Sequence, residues 1–143
     1  MAAEYSFIPI QTAEEDSNVL LLEGSRSCKK GLIEHRDGSG VLTLKGAGNC
    51  GKTIYKVEFT ANIAVAEDGT VGPISIALTE NGEVLGNAEA IVTPAAIGDF
   101  FNVSVSTFIV IPCGCCKTVT VRNTSDGTAI DVQNANLIIE RVA

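Results

Sequence analysis

The sequence predicts an all-β domain, an antiparallel sandwich or jelly roll of about eight to ten strands. Three observations predict it: helical periodicity is nearly absent, apolar and polar residues alternate in short runs, and Gly, Asn, Asp and Pro separate those runs. The 143 residues have the length of one domain. We assign residues 1–17 to a short N-terminal arm and residues 18–143 to the jelly-roll domain.

Seven alternating runs mark the clearest strands. They are GVLTL (40–44), TIYKVEFTANIAVA (53–66), GPISIALTE (72–80), EVLGNAEAIVT (83–93), FFNVSVSTFIVI (100–111), KTVTVRN (117–123) and AIDVQNANLIIERV (129–142). In the second run the apolar residues from Val57 to Val65 recur at every second position, which predicts a long strand with one buried side. The segment TPAAIGDFF (93–101) is predicted to be a longer connection, either looped or helical.

The turns between these runs have a recognisable chemistry. RDGSG, EDGT, ENGE and TSDGT each contain an Asp-Gly or Asn-Gly pair, and these pairs tolerate a positive φ. Because ENGE stands between two alternating runs, it predicts a β-hairpin.

Composition and charge exclude several classes of partner. The net charge of −7 argues against nucleic acid, whose phosphates would be repelled. No apolar run approaches the roughly 18 residues that a membrane helix needs. The mean hydropathy of +0.27 is high for a small soluble protein, which favours a subunit interface. The acidic N-terminal segment does not resemble a signal peptide, so we expect assembly in a cytoplasm.

Three of the five cysteines lie close together in IVIPCGCCKTVTV, at Cys113, Cys115 and Cys116. Pro112 and Gly114 are turn residues, so a turn of small residues with unreactive thiols is the first interpretation. A disulfide to Cys28, to Cys50 or to a neighbouring subunit and a metal site remain open, and Cys28 to Cys50 is the expected pair if a bridge forms within the chain. One chain offers three close thiols without a second pair, which makes a poor zinc site.

Two further features of the sequence bear on enzyme activity: a phosphate-loop-like string and the single histidine. GAGNCGKT fits the phosphate-loop pattern GxxxxGK[ST] with Gly46, Gly51, Lys52 and Thr53, but the alternating run that follows predicts a strand instead of the required helix. The single histidine, His35, has no nucleophile motif around it and is interpreted as a solvated turn residue. We therefore expect no enzyme activity and no cofactor.

Two longer segments resemble a known family. PISIALTENGEVLGNAEAIVTP and VIPCGCCKTVTVRNTSDGTAIDVQNANLIIERV are similar in pattern to the trimeric jelly-roll heads of the tumour necrosis factor and complement type, especially their bacterial and phage versions. The similarity covers about residues 40–143. Spore-surface members of that group carry a Gly-X-Y stalk before the head, whereas this chain has a short acidic arm. That difference favours a phage capsid decoration or head-fibre protein.

The resemblance implies a structural role. We expect a homotrimer that decorates or stabilises a phage capsid, bound to the major capsid protein or another shell protein, on the surface of a virion assembled in the bacterial cytoplasm. A carbohydrate- or receptor-binding head is the first alternative, and a nucleotide-binding protein is the second. The expected assembly-binding residues of the arm are Tyr5, Phe7, Ile8, Ile10, Glu14, Glu15 and Asp16. The expected trimer interface, on the apolar final strand, consists of Leu137, Ile138 and Ile139.

Overall fold

A computed structural model describes residues 2–28, 31–47, 51–114 and 116–143. These residues form eleven strands. The strands are β1 (Ala2–Phe7), β2 (Gln11–Ala13), β3 (Leu22–Cys28), β4 (Ile33–His35), β5 (Leu42–Lys45), β6 (Thr53–Val65), β7 (Ile74–Glu80), β8 (Glu83–Val92), β9 (Phe101–Ile111), β10 (Cys116–Asn123) and β11 (Ile130–Arg141). Across these ranges there is no helix, and hence none long and apolar enough to cross a membrane.

Two antiparallel sheets pack face to face. The first sheet has the order β3-β1-β11-β6-β9, with β2 pairing with β11, and the second has the order β4-β5-β10-β7-β8. The chain crosses between the sheets after β3, β5, β6, β8, β9 and β10, so most neighbours within a sheet are distant in sequence. This topology confirms the predicted antiparallel jelly-roll sandwich.

The core lies between the sheets and follows the alternation of the long strands. Val57, Phe59, Ala61, Ile63 and Val65 of β6 are all buried, which confirms the predicted inner side of that strand. Their strand neighbours on β9 and β11 contribute matching apolar residues at alternate positions. The core is therefore built mainly from aliphatic side chains that a period of two places on one face, with Tyr5, Tyr55 and Phe59 as its aromatic members.

The hairpin predicted at ENGE joins β7 to β8. Glu80 pairs with Glu83, and the two residues between them, Asn81 and Gly82, have φ values of 51° and 82°. Two consecutive positive φ values are the geometry of the tight hairpin turn that Asn-Gly favours. The side-chain oxygen of Asn81 also accepts a hydrogen bond of 3.0 Å from the backbone N–H of Thr118. That bond attaches the turn to β10.

The N-terminal segment differs most from expectation. We assigned residues 1–17 to an N-terminal arm, but β1 lies inside the first sheet, paired with β11 on one side and β3 on the other. Ala3 and Tyr5 are buried because the alternation of β1 points them into the core. β1 and β2 are therefore strands of the sandwich.

The connection between β8 and β9 is irregular. Residues 93–100 form bends and a turn without a helix, so the looped alternative is correct. Its position lets the chain pass from the edge of the second sheet to the edge of the first.

Candidate functional site

The predicted trimer interface on β11 is only partly available to another subunit. Leu137 and Ile139 have no exposed surface because they point into the sandwich. Ile138, between them, is 37% exposed and points outward. Of the three residues, Ile138 is therefore the one that can contact a second copy directly.

Ile138 belongs to a broad surface that we call the outer face of the first sheet. It consists of the outward side chains of β1, β11, β6 and β9 in register. One row across the strands contains Glu4, Ile138, Glu58 and Ser106, and the next contains Ala2, Glu140, Lys56 and Phe108. Four adjacent strands thus present a continuous surface on which no other element of the described chain is stacked.

Two large apolar side chains stand out on the outer face of the first sheet. Phe108 of β9 is 61% exposed, and Ile138 of β11 is exposed as well. Between them lies β6, where Lys56 and Glu58 form an ion pair with 3.7 Å between Nζ and Oε2. β9 is the edge strand of this sheet, and a phenylalanine that is largely exposed there is typical of a surface that a partner covers.

Beyond Phe108 the half-buried pair Ile54 and Val110 continues the apolar surface, whereas the other end of the face is polar and carries mainly short side chains. Ser104 and Thr60 lie opposite each other, and the amide of Asn102 donates a 3.0 Å hydrogen bond to the side-chain oxygen of Asn62. Asn136 makes a weaker contact of 3.5 Å with the Glu4 carboxylate. Short side chains let another backbone approach closely, so the surface is suited to packing more than to enclosing a small molecule.

The arm residues predicted to bind a larger assembly differ in how exposed they are. Tyr5 is buried and Phe7 is half-buried, so neither presents a docking surface. Ile8 and Ile10, in the turn between β1 and β2, are exposed, as are Glu14 and Asp16 farther along. The Glu15 carboxylate accepts a hydrogen bond from the backbone N–H of Gly127.

The NTS sequence at Asn123 is structural. Asn123 is fully buried, and its side-chain amide donates to the carbonyl oxygens of Ala13, Glu14 and Thr128 at 3.0–3.2 Å. Its side-chain oxygen accepts from the N–H of Ser125 at 2.9 Å. The residue therefore joins three segments of chain, which the sequence did not reveal.

The cysteine-rich turn contains no metal cluster within the part of the chain that is described. Cys113 is exposed with a free thiol, Gly114 has a φ of 71°, and Cys116 begins β10. Among the described residues no three His, Cys, Asp or Glu side chains converge as metal ligands. Cys50 and Cys115 lie outside the described residues. The predicted disulfides that involve either of them therefore lie outside the described part of the chain as well.

The phosphate-loop-like string lies before a strand. Residues 48–50 of the string fall outside the described ranges, but Thr53 begins β6, a strand of 13 residues. The hydroxyl of Thr53 accepts a 2.8 Å hydrogen bond from the N–H of Ala47. Because a strand follows where a phosphate loop needs a helix N-terminus, the prediction of a strand is confirmed.

Two aromatic side chains, those of His35 and Tyr55, donate hydrogen bonds to backbone carbonyl oxygens. Nε2 of His35 donates to the carbonyl oxygen of Ser39 at 2.7 Å, and its ring packs edge-on against Tyr5 with 4.7 Å between the ring centres. His35 is half-buried, so the prediction of a solvated turn residue is wrong. Burial raises the pKa of Tyr55, an effect that Arg141 partly opposes, and its hydroxyl donates to the carbonyl oxygen of Lys45 at 2.6 Å. Both rings therefore have structural partners.

The second sheet carries an open cleft. The cleft, of about 450 Å³, is formed where β7 and β8 meet the loop between β10 and β11. Its lining includes Ser75, Glu89, Ile91, Thr124 and Asp126. Because the cleft opens on the second sheet, it remains accessible if another copy covers the outer face of the first sheet.

Comparisons with solved structures agree on the fold. No protein-family model and no curated protein sequence matches the chain. The Eiger TNF structure from S. frugiperda has a TM-score of 0.70 at 13% identity, covering 100% of this chain and 92% of that one.

Two further structures extend the comparison. Murine APRIL at pH 5.0 has a TM-score of 0.64 at 9% identity, covering 98% and 99% of the two chains. The globular domain of zebrafish complement 1qA has a TM-score of 0.59 at 10% identity, covering 99% and 97%. The chain therefore has the jelly-roll fold seen in tumour necrosis factor and complement C1q domains.

Proposed function

We propose that this chain is a non-enzymatic homotrimeric head, in which three copies pack through the outer face of the first sheet. The observation that carries the proposal is the exposure of Phe108 and Ile138 on one sheet face, on either side of the Lys56–Glu58 ion pair. The resemblance of the sequence to trimeric heads supports the same stoichiometry. The head then serves as a structural or recognition module of a larger assembly.

The free energy of assembly comes from covering this face. Burial contributes about 25 cal/mol for each Å² of apolar surface, so a few hundred Å² per subunit is worth several kcal/mol before the cost of association. A closed threefold arrangement covers the same surface on every copy, which prevents open-ended polymerisation. The short side chains of Ser104, Ser106 and Thr60 allow close packing around the two apolar residues.

Charge-introducing variants test this interface. Phe108→Lys, opposite Lys56, and Ile138→Glu, between Glu4 and Glu58, each place a like charge on the proposed contact, where burial of an unpaired charge is strongly unfavourable. Sedimentation should show that each variant shifts the protein from trimer towards folded monomer. Val71→Glu, at an exposed apolar position in the loop after β6, is the matched control and should remain trimeric. Trimeric behaviour of both interface variants would contradict this assignment of the interface.

The larger assembly in this proposal is a phage capsid. Similarity of the sequence to phage versions of the head supports it, as does the exposure of Ile8, Ile10, Glu14 and Asp16. Those side chains combine apolar contact with negative charge that can pair with basic groups on a shell protein.

The capsid proposal is tested on particles. Virions purified from an induced culture of the strain that carries the gene should contain the chain at a fixed ratio to the major capsid protein. Its absence from purified virions would refute this location. Ile8→Asp combined with Ile10→Asp should leave the head folded and reduce its occupancy on particles.

A recognition head is the second candidate. The cleft on the second sheet favours it, because a head that only packs against a shell does not require an open cleft on its far side. The two candidates are compatible, since the same trimer can be attached to an assembly and bind a partner.

A further inference from the structure

The cleft on the second sheet has a defined chemistry within a single chain. Ser75 on β7 pairs with Ile91 on β8, and the N–H of Thr124 donates to the carbonyl oxygen of Ser75 at 3.1 Å. Glu89 lies two residues before Ile91 and therefore on the same side of β8. Asp126, in the loop after β10, also lines the cleft.

The side-chain hydroxyl groups in the cleft already donate their hydrogens to hydrogen bonds within the chain. The Thr124 hydroxyl is 3.0 Å from Oε2 of Glu89, and an ionised carboxylate can only accept, so Thr124 is the donor. The Ser75 hydroxyl is 2.7 Å from that of Thr124, whose hydrogen is committed, so Ser75 donates to Thr124. This chain of two bonds also holds the Glu89 carboxylate in place.

Ser125 follows the same pattern. Its hydroxyl accepts from the N–H of Ser75 at 2.9 Å and donates to the carbonyl oxygen of Ser75 at 3.3 Å. The side chains of the cleft consequently offer a ligand acceptors without donors: the second oxygen of Glu89, the Asp126 carboxylate and hydroxyl lone pairs.

Neither carboxylate forms an ion pair with another described residue. Ion pairs among the described residues join Lys45 to Glu34, Lys56 to Glu58 and Lys117 to Glu80. None of these pairs includes Glu89 or Asp126. Since the whole chain carries a net charge of −7, the surrounding potential also favours a cation.

Apolar surface lies beside these acceptors. Ile91 is 64% exposed, and Pro73 is also exposed at the start of β7. A ligand that fits the cleft therefore combines an apolar stem with a charged group that donates several hydrogen bonds. Arginine has this combination, with an aliphatic stem and a planar guanidinium that carries five N–H donors.

We propose that the cleft binds an arginine side chain of a partner protein, with its guanidinium between Glu89 and Asp126 and its stem against Ile91. An anion would be repelled by the two carboxylates. A neutral sugar would find no hydroxyl donor, because Ser75, Thr124 and Ser125 use theirs internally. The inference goes beyond the proposed trimer, since one chain supplies the entire lining.

Titration of the ¹⁵N-labelled full chain with Nα-acetyl-arginine amide tests the proposal by NMR. The backbone amides of Ser75, Glu89, Ile91 and Asp126 should shift together as the probe is added. The matched neutral probe is Nα-acetyl-citrulline amide, which has nearly the same shape without the charge. It should bind at least about tenfold more weakly, because hydrogen bonds to charged groups are the stronger ones.

Variants identify the groups responsible. Glu89→Gln and Asp126→Asn should each weaken arginine binding about tenfold while the rest of the spectrum is preserved. Glu83→Gln, at the other end of β8, removes one exposed carboxylate away from the cleft and should leave binding unchanged. Raising the salt concentration should also weaken binding through screening.

Three results would overturn the proposal: equal binding of the citrulline probe, unchanged arginine binding in both cleft variants, or no shift of the cleft amides with arginine. Stronger shifts of the same amides with N-acetylglucosamine than with arginine would assign the cleft to a sugar instead. None of these results depends on the oligomeric state, which sedimentation measures separately.

Discussion

The side-chain amide of Asn123 donates a 3.0 Å hydrogen bond to the carbonyl oxygen of Ala13, a residue 110 positions earlier in the chain. Through this contact β10 of the second sheet holds the end of β2, which belongs to the first sheet. The N-terminal segment is therefore attached at both ends, by β1 within the sheet and by Asn123 beyond it.

Replacing Asn123 by Ala should destabilise the fold by about 3 kcal/mol, because several buried backbone groups lose their partners. Urea unfolding monitored by circular dichroism measures this change. Asn102→Ala is the control, since Asn102 also begins an Asn-x-Ser/Thr sequence but is exposed, and it should change stability by less than about 0.5 kcal/mol. Equal effects of the two substitutions would contradict the role of Asn123.

Tyr5→Ala should cost about 3 to 5 kcal/mol, since it empties a fully buried aromatic position beside His35. Ile8→Ala removes a side chain that is 60% exposed three residues later and should have little effect on stability. Thermal unfolding compares the two variants.

Deletion of residues 2–13 should prevent folding, because β1 lies between β3 and β11. A folded deletion protein would show that the segment is a dispensable arm.

Gly40→Ala should destabilise the domain by about 1 to 3 kcal/mol. A Cβ at Gly40 would lie 2.8 Å from both Cβ of Asn18 and the carbonyl oxygen of Val19, so the backbone would have to move. Gly72→Ala has nothing within 4 Å of the added Cβ and should be neutral. Chemical denaturation of the two variants gives the difference, and a neutral Gly40→Ala would show that the two segments are not closely packed.

The thiol of Cys113 should react with a disulfide reagent in the folded protein, because it is exposed and free. Replacing Cys113, Cys115 and Cys116 by Ser should cost little stability and remove no metal. Elemental analysis measures the zinc content of the native protein and of the triple variant. Stoichiometric zinc that is absent from the triple variant would show that the turn is a metal site.

Alternation predicted β6 and β9 well because each of these strands has one buried side. In β6 the apolar residues recur at every second position for most of the strand, and the structure buries all of them. The shorter strands β1 and β3 gave a weaker pattern: β1 is soon followed by Pro9, and β3 contains Gly24 and several polar residues. Their place in the sheet depends on pairing with distant strands, which local periodicity does not contain.

The division of the predicted interface residues between core and surface has a specific cause on β11. Ile130 and Val132 point into the core, and continued alternation would place Ile138 there as well. Asn134 has a φ of 55° and lies where the register with β6 shifts, so the extra residue reverses the phase. Leu137 and Ile139 therefore become core residues and Ile138 becomes exposed. The sequence contains Asn134 but does not mark it as a bulge.

The mass of the native protein in solution tests the central claim most directly. Sedimentation equilibrium at micromolar concentration should return three times the mass of the 14.9 kDa chain, because the outer face of the first sheet is covered by neighbouring copies. A mass of one chain under the same conditions would contradict the account, since Phe108 and Ile138 would then be exposed in the native protein.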